Sequence, residues 1–208
     1  MARTSGRALQ RRRAEEAALK AAVARSASRR RAALLAAGSV LAVAAAIVLV
    51  AIQPPPPGLA FTDQGNQHLA SVDEPHLVYN SRPPSSGPHL GSLAAWGESD
   101  IQLPPELFIH NLEDGGVVLT YGCGTSCPDI VAGLRQILVE FEGRNLLLMP
   151  YQDIVDADGA SHRAAAVAWG RVLYLDDLDE ASGEQLDKFI RTFEGVDHHV
   201  GVGTPLSG

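Results

Sequence analysis

Basic residues are scarce in most of this 208-residue chain. Ten of its 17 Arg and Lys residues lie within residues 1–31, where only two acids accompany them and the net charge is +8. The remainder holds seven basic and 22 acidic residues, a net charge of −15. Too few cations are present there to neutralise phosphates, so we expect no nucleic-acid partner for the acidic part. The two parts of the chain are expected to meet different surroundings.

Charge is also missing from residues 32–52, an Ala-rich apolar run that Pro54 to Pro57 follow. A helix of about 20 apolar residues spans a bilayer core, and prolines end helices, so the run predicts a transmembrane helix over 32–53. Arg29 to Arg31 precede it, and no basic residue follows until Arg82. The positive-inside rule then predicts a single-pass protein of the cell membrane, with a cytoplasmic tail, 1–31, and a domain outside.

Two questions about this N-terminal region stay open. The apolar run could alternatively belong to a cleaved signal peptide, with the small residues up to Ala60 as the cleavage site. Cleavage there would release the same domain outside the cytoplasm. The predicted partner of residues 32–53 is the lipid bilayer. The basic tail either binds anionic lipid heads or only fixes orientation.

The rest of the chain has no internal repeat and predicts one α+β domain. Residues 54–66 form a proline-rich linker, 67–195 the domain, and 196–208 a flexible C-terminal tail. Apolar runs predict strands over 117–121, 145–149, 164–169 and 172–175, and helical spacing predicts helices over 128–142 and 180–193. We expect a small mixed sheet with two main helices packed on it. Residues 67–106, rich in proline, predict loops and short strands.

Only two cysteines occur, Cys123 and Cys127. Outside the cytoplasm such a pair forms a structural disulfide in most proteins. A strand, the pair, Pro128 and then a helix also follow the layout of thioredoxin-like proteins, in which the helix N-terminus activates a thiolate. The spacing here is C-x₃-C rather than C-x₂-C, and no partner cis-proline is evident. A redox pair and metal ligation remain alternatives to the structural disulfide.

Histidines concentrate where turns are most frequent. Four of the seven, His68, His76, His89 and His110, lie within 43 residues rich in proline and glycine. Imidazole binds copper, zinc, iron and nickel, so a shared metal site is one hypothesis, and histidines that brace loops by hydrogen bonding are the other. The gaps match no compact signature such as H-E-x-x-H.

Several motifs in this region resemble the bacterial domain of unknown function catalogued as number 3105. Here they are Gly65–His68, the PPSSGPH run ending at His89, and the HNLEDGGV run from His110, with further echoes in MPY at 149–151 and AWGR at 168–171. The resemblance covers about residues 60–195 and implies a shared fold, not an activity. It groups the four histidines as motif positions. Asp114 stands where the family pattern has histidine, which alters the ligand preference of any metal site.

Three functions are therefore compatible with the sequence. The first is a membrane-tethered domain that binds a transition metal such as copper through His68, His76, His89 and His110, with Asp114 either as a further ligand or as a hydrogen-bond partner of a ligand. The second is a thiol–disulfide oxidoreductase that uses Cys123 and Cys127. The third is a cell-envelope interaction module without chemistry, whose protein partners are unspecified. No catalytic residue is assigned, because serines such as Ser85 lack a strand–turn–helix context, and enzyme activity is left open.

Overall fold

The computed structural model describes residues 54–123 and 127–199, together with scattered positions between 13 and 48. The chain divides into two units, Met1–Pro55 and Pro56–Gly208. In the first unit the described positions are helical.

Among the described residues, no helix has both the length and the apolar character to cross a membrane. The predicted transmembrane helix over 32–53 is therefore wrong as a feature of this structure. The prediction rested on the length of an uncharged, Ala-rich run, whereas spanning requires a helix that is both continuous and strongly apolar over about 20 residues. The positions of 32–53 that fill the gaps lie outside the described residues.

A six-stranded mixed sheet forms the centre of the second unit. Its strands are β1 (Leu59–Ala60), β4 (Gly97–Glu98), β5 (Val117–Tyr121), β6 (Leu146–Pro150), β7 (Ala164–Ala168) and β8 (Arg171–Leu175). The order across the sheet is β1-β8-β7-β5-β6-β4. The β4, β6 and β5 strands run parallel, whereas β7 is antiparallel to β5, and β8 is antiparallel to both β7 and β1.

Helices cover both faces of this sheet. On one face, α1 (Pro105–Glu113) packs Phe108, Ile109 and Leu112 against alternate residues of the central strands. On the other, α2 (Pro128–Glu140) and α3 (Glu180–Phe193) bury their apolar sides against the remaining alternate residues. Strands covered on both faces read as continuous apolar runs, which explains the sequences VVLTY and LLLMP.

The α+β prediction is confirmed in its sheet and in the two predicted helices. Strand β5 has the predicted bounds, and so does α3. Helix α1 was missed, because the pair Pro104 and Pro105 was interpreted as part of a loop. Proline at the first helical position is instead favourable, since that N–H has no partner within the helix and the ring presets φ. The helix ends at Asp114, and Gly115, with φ of +78°, turns the chain towards β5.

A second, two-stranded sheet lies outside the first. It consists of β2 (His68–Leu69) and β3 (His89–Leu90), which run parallel, with His68 opposite His89. The PPSSGPH loop that leads into β3 is buried, and Ser85 and Ser86 are fully inaccessible to solvent. This loop is part of the packed structure, so the position of His89 is fixed by the interior of the domain.

Candidate metal centre

The paired strands β2 and β3 place two imidazoles side by side. The ring centroids of His68 and His89 are 5.1 Å apart. His89 is completely buried, while the side chain of His68 is 50% exposed. One side of this pair therefore belongs to the interior and the other faces solvent.

Helix α1 supplies two further groups to the same place. His110 and Glu113 are three residues apart, so they project from one face of the helix. The His110 ring lies 5.2 Å from the rings of both His68 and His89. The buried side chain of Asn111, from the adjacent face, exchanges two hydrogen bonds of 2.9 Å with the backbone of Ala94 and so fixes the helix to the preceding loop.

The carboxylate of Glu113 is the centre of the cluster and is only 1% exposed. Its Oε1 atom accepts a hydrogen bond of 2.7 Å from Asn66 Nδ2. Its Oε2 atom faces four imidazole nitrogens, at 2.9 Å from His89 Nε2, 3.4 Å from His199 Nε2, 3.6 Å from His68 Nε2 and 3.6 Å from His110 Nδ1. Burial opposes ionisation of Glu113, but the hydrogen bonds with Asn66 and His89 and the nearby imidazoles outweigh it and lower its pKa.

The hydrogen bonds of His89 constrain its protonation. Nδ1 lies 2.8 Å from the carbonyl oxygen of Gly87, which only accepts, so Nδ1 must carry a proton. In a neutral ring, Nε2 then presents a lone pair to an ionised carboxylate that also only accepts. Two acceptors 2.9 Å apart need a shared proton or a shared cation between them. A ring nitrogen fixed through the other N–H to a backbone carbonyl is the usual arrangement of a metal-ligating histidine.

His110 has no hydrogen bond at Nδ1, although that atom is buried. Among the described side chains, no other buried nitrogen or oxygen lacks a partner in this way. Burial is the main factor that lowers the pKa of His110, and the neighbouring imidazoles of His89 and His68 act in the same direction. The lowered pKa favours the neutral ring, which is the form that binds a metal ion, and Nδ1 faces Glu113 Oε2 at 3.6 Å.

Four ligand atoms, one from each of His68, His89, His110 and Glu113, lie within 4.8 Å of one another. Bonds of about 2.0–2.2 Å to one ion place ligand atoms about 3.3–4.4 Å apart, so little movement is needed to bind one. A second, overlapping group consists of His110, Asp114 and His199. His199 Nδ1 lies 3.5 Å from Asp114 and 2.7 Å from Asp197.

The C-terminal segment 196–199 brings His199 to the cluster. The amide of Gly195 donates to Gly115 O, and the amide of His198 donates to Glu113 O, both at 2.8 Å. The His198 ring stacks on Trp169 with centroids 5.7 Å apart. The hydrogen bond to Asp197 is the main factor that raises the pKa of His199. A flexible tail was predicted over 196–208. The structure describes residues 196–199 of it, and residues 200–208 lie outside the described residues.

Two of the predicted site elements lie elsewhere. His76 is directed away from the cluster, with Nε2 3.2 Å from Glu106 Oε1 and Nδ1 2.7 Å from the carbonyl oxygen of Leu77. It braces a loop, as the alternative hypothesis proposed. Cys123 and Cys127 form a disulfide at the far end of β5, at the start of α2. The structure therefore brings His68, His89 and His110 together, with Asp114 at the margin.

Sequence reasoning missed two members of the cluster. Glu113 was not among the predicted ligands, and His199 was assigned to the predicted tail over 196–208. Once α1 is recognised as a helix, the H-x-x-E spacing of His110 and Glu113 places them on one face and predicts the pair. No local signal in the sequence indicates His199, because its position depends on how the chain after α3 returns to Gly115.

The fold and the site define an α+β domain with a compact histidine–carboxylate cluster, buried on one side and open on the other. Residues 71–202 match the family model described as "Protein of unknown function (DUF3105)", and the chain belongs to this family. No curated protein and no solved structure matches the chain significantly.

Proposed function

We propose that this domain binds a divalent transition metal through His68, His89, His110 and Glu113. The observation that carries the proposal is the convergence of one ligand atom from each of these four residues within 4.8 Å of one another, with His110 Nδ1 buried and without a hydrogen-bond partner. Three imidazoles and one carboxylate suit copper or zinc, and copper(II) is the stronger binder at such sites. His199 and Asp114 complete the solvent side.

The half-exposed His68 supports exchange of the ion with solvent. A structural zinc site is closed by its protein ligands, whereas an accessible site exchanges metal or holds a further ligand. We therefore propose metal binding or delivery as the role. The Cys123–Cys127 disulfide supports placement of the domain outside the cytoplasm, where such bonds persist.

Metal analysis of the purified full chain tests the proposal. After loading with Cu²⁺ or Zn²⁺ and dialysis, we expect about one equivalent per chain. His110→Ala should lose most of it, and His76→Ala is the matched control, because His76 lies in the same region but pairs with Glu106. Absence of bound metal in the folded wild-type chain, or equal loss in both variants, would refute the proposal.

Contact of the basic tail, 1–31, with anionic lipid heads is a separate proposal. Most of these residues lie outside the described part of the chain, so its support is the net charge of +8 alone. Binding of the full chain to vesicles that contain anionic lipid should fall steeply with salt if the attraction is electrostatic. Equal binding to neutral vesicles would contradict it.

A further inference from the structure

A second candidate site lies at the disulfide, remote from the histidine cluster. Cys123 and Cys127 line a cleft of about 710 Å³ together with Tyr121, Val131 and Tyr151. The metal proposal makes no use of this cleft. A disulfide that only braced the fold would have no need to border a cavity large enough for a polypeptide side chain.

The two sulfurs differ in access. Cys123 is partly exposed, whereas Cys127 is 5% exposed and belongs to the apolar core under α2 and α3. Both cysteines line the cleft, but Cys123 is the more exposed of the two, so we expect an incoming thiolate to attack Cys123. Attack at Cys123 makes Cys127 the leaving group.

Cys127 occupies the N-cap of α2, with Pro128 as the first helical residue. The free amides and the dipole at a helix N-terminus favour negative charge, so a thiolate released there is stabilised and leaves faster. The acidic residue in this turn, Asp129, is paired with Arg163 at 3.2 Å, which offsets its charge. The structure thus assigns an accessible sulfur and a stabilised leaving sulfur to different cysteines.

The approach to Cys123 is held rigidly. The Gly122 amide donates to Arg163 O at 2.8 Å, and the Tyr151 amide donates to Tyr121 O at 2.7 Å. A side chain at Gly122 would collide with the Tyr151 carbonyl, so the strand end and the neighbouring chain lie in close contact. Cys123 therefore projects from a fixed strand end into the cleft.

The surrounding topology is that of thioredoxin-like proteins, in which the cysteine pair follows the central strand of a sheet and precedes a helix. Here the central strand is β5, flanked by the parallel β6 and the antiparallel β7. Two differences are the C-x₃-C spacing and the absence, among the described residues, of a cis-proline beside the pair. The cis peptide bond found is Arg82–Pro83, in the PPSSGPH loop.

We propose that the Cys123–Cys127 disulfide oxidises polypeptide dithiols that bind in this cleft. A substrate thiolate attacks Cys123 Sγ and expels Cys127 as a thiolate, which leaves a mixed disulfide. The second substrate thiol then loses its proton and attacks the substrate sulfur, which expels Cys123. The substrate gains one disulfide, two electrons reduce the protein pair, and the two substrate protons end on Cys123 and Cys127.

The first test uses the wild-type full chain and a synthetic peptide with two thiols, without denaturant. Alkylation and mass measurement should show peptide disulfide formed as the protein disulfide disappears, while near-ultraviolet circular dichroism stays native. If the protein disulfide is reduced only at denaturant concentrations that unfold the chain, it is structural and the proposal is wrong.

A matched pair of variants tests the assignment of the two sulfurs. Cys127→Ser leaves Cys123 as the single thiol, and Cys123→Ser leaves Cys127. With oxidised glutathione we expect the first variant to form its mixed disulfide at least about 10-fold faster, because reaction follows accessibility. Equal rates or the reverse order would overturn the assignment. Metal binding is measured on the same samples, so failure here is distinguishable from failure of the metal proposal.

Discussion

Glu113→Gln separates the two things that the buried carboxylate does, which are to satisfy hydrogen bonds and to carry charge. Glutamine keeps the shape and keeps an acceptor for Asn66 Nδ2. Its new N–H₂ group points at His89 Nε2, 2.9 Å from the present Oε2 atom, and donates to the lone pair there. Every hydrogen bond of Glu113 in the described structure is therefore preserved.

Both expected effects are losses of stability. Without metal, the surroundings of Glu113 lower its pKa and so favour the ionised form, and the neutral glutamine keeps only neutral hydrogen bonds, which lowers the free energy of unfolding by about 1–2 kcal/mol. With metal, a ligand is lost, and since loss of even a supporting group costs about 10- to 100-fold in affinity, we expect more than about 100-fold. At saturating metal, at least about 2.7 kcal/mol of metal-dependent stabilisation disappears.

Denaturant unfolding in a chelator and in saturating Zn²⁺ measures both quantities. The matched control is Glu106→Gln, on the same helix, whose carboxylate faces His76 at 3.2 Å and lies outside the cluster. The control should keep the full metal-dependent stabilisation. A Glu113→Gln variant that is as stable as wild type without metal, and is stabilised by metal as much as wild type, would refute the reasoning.

Three further predictions follow from packing and charge. Gly115→Ala should lower the free energy of unfolding by about 1–3 kcal/mol, because φ is +78° and the new Cβ would lie 2.7 Å from Val196 N; an unchanged denaturation midpoint would contradict this. Leu119→Ala, on β5 and fully buried in the core beneath α2 and α3, should cost about 2–5 kcal/mol in the same assay. Burial opposes protonation of His162, but hydrogen bonds with Asp156 and Asp176 outweigh it and raise its pKa. His162→Gln should therefore lose more stability at pH 5.5 than at pH 9. A histidine whose pKa is raised by folding stabilises the fold fully below its pKa in the unfolded chain, and this stabilisation vanishes above its pKa in the folded chain.

Local patterns in the sequence were sufficient for the elements of the large sheet. Apolar runs bounded by turn residues fixed β5 and β6, and helical spacing of apolar residues fixed α2 and α3. Their boundaries differ from prediction by at most a residue or two, because each element is determined by its own burial pattern. The N-terminal run shows the limit of such patterns, since an uncharged composition did not establish a continuous spanning helix.

The site was predictable only in part, because its geometry is set by long-range contacts. Proximity of His68 and His89 depends on the parallel pairing of β2 and β3, two strands of only two residues each. Propensity carries no information about such short strands. The resemblance grouped His76 with the other three histidines. A motif position does not distinguish a metal ligand from a residue with a structural role, and the ring of His76 bonds Glu106 and the carbonyl oxygen of Leu77.

The return of segment 195–199 to Gly115 and Glu113 has a consequence for how the protein would respond to processing. A protease that trimmed the chain just after Gly195 would leave the six-stranded sheet and helices α1, α2 and α3 uncut. It would nonetheless remove His199 and the segment that lies beside Glu113, and so open the carboxylate to water. Segment 196–199, a peripheral feature by sequence, would then control how far water reaches a buried carboxylate in the interior of the domain.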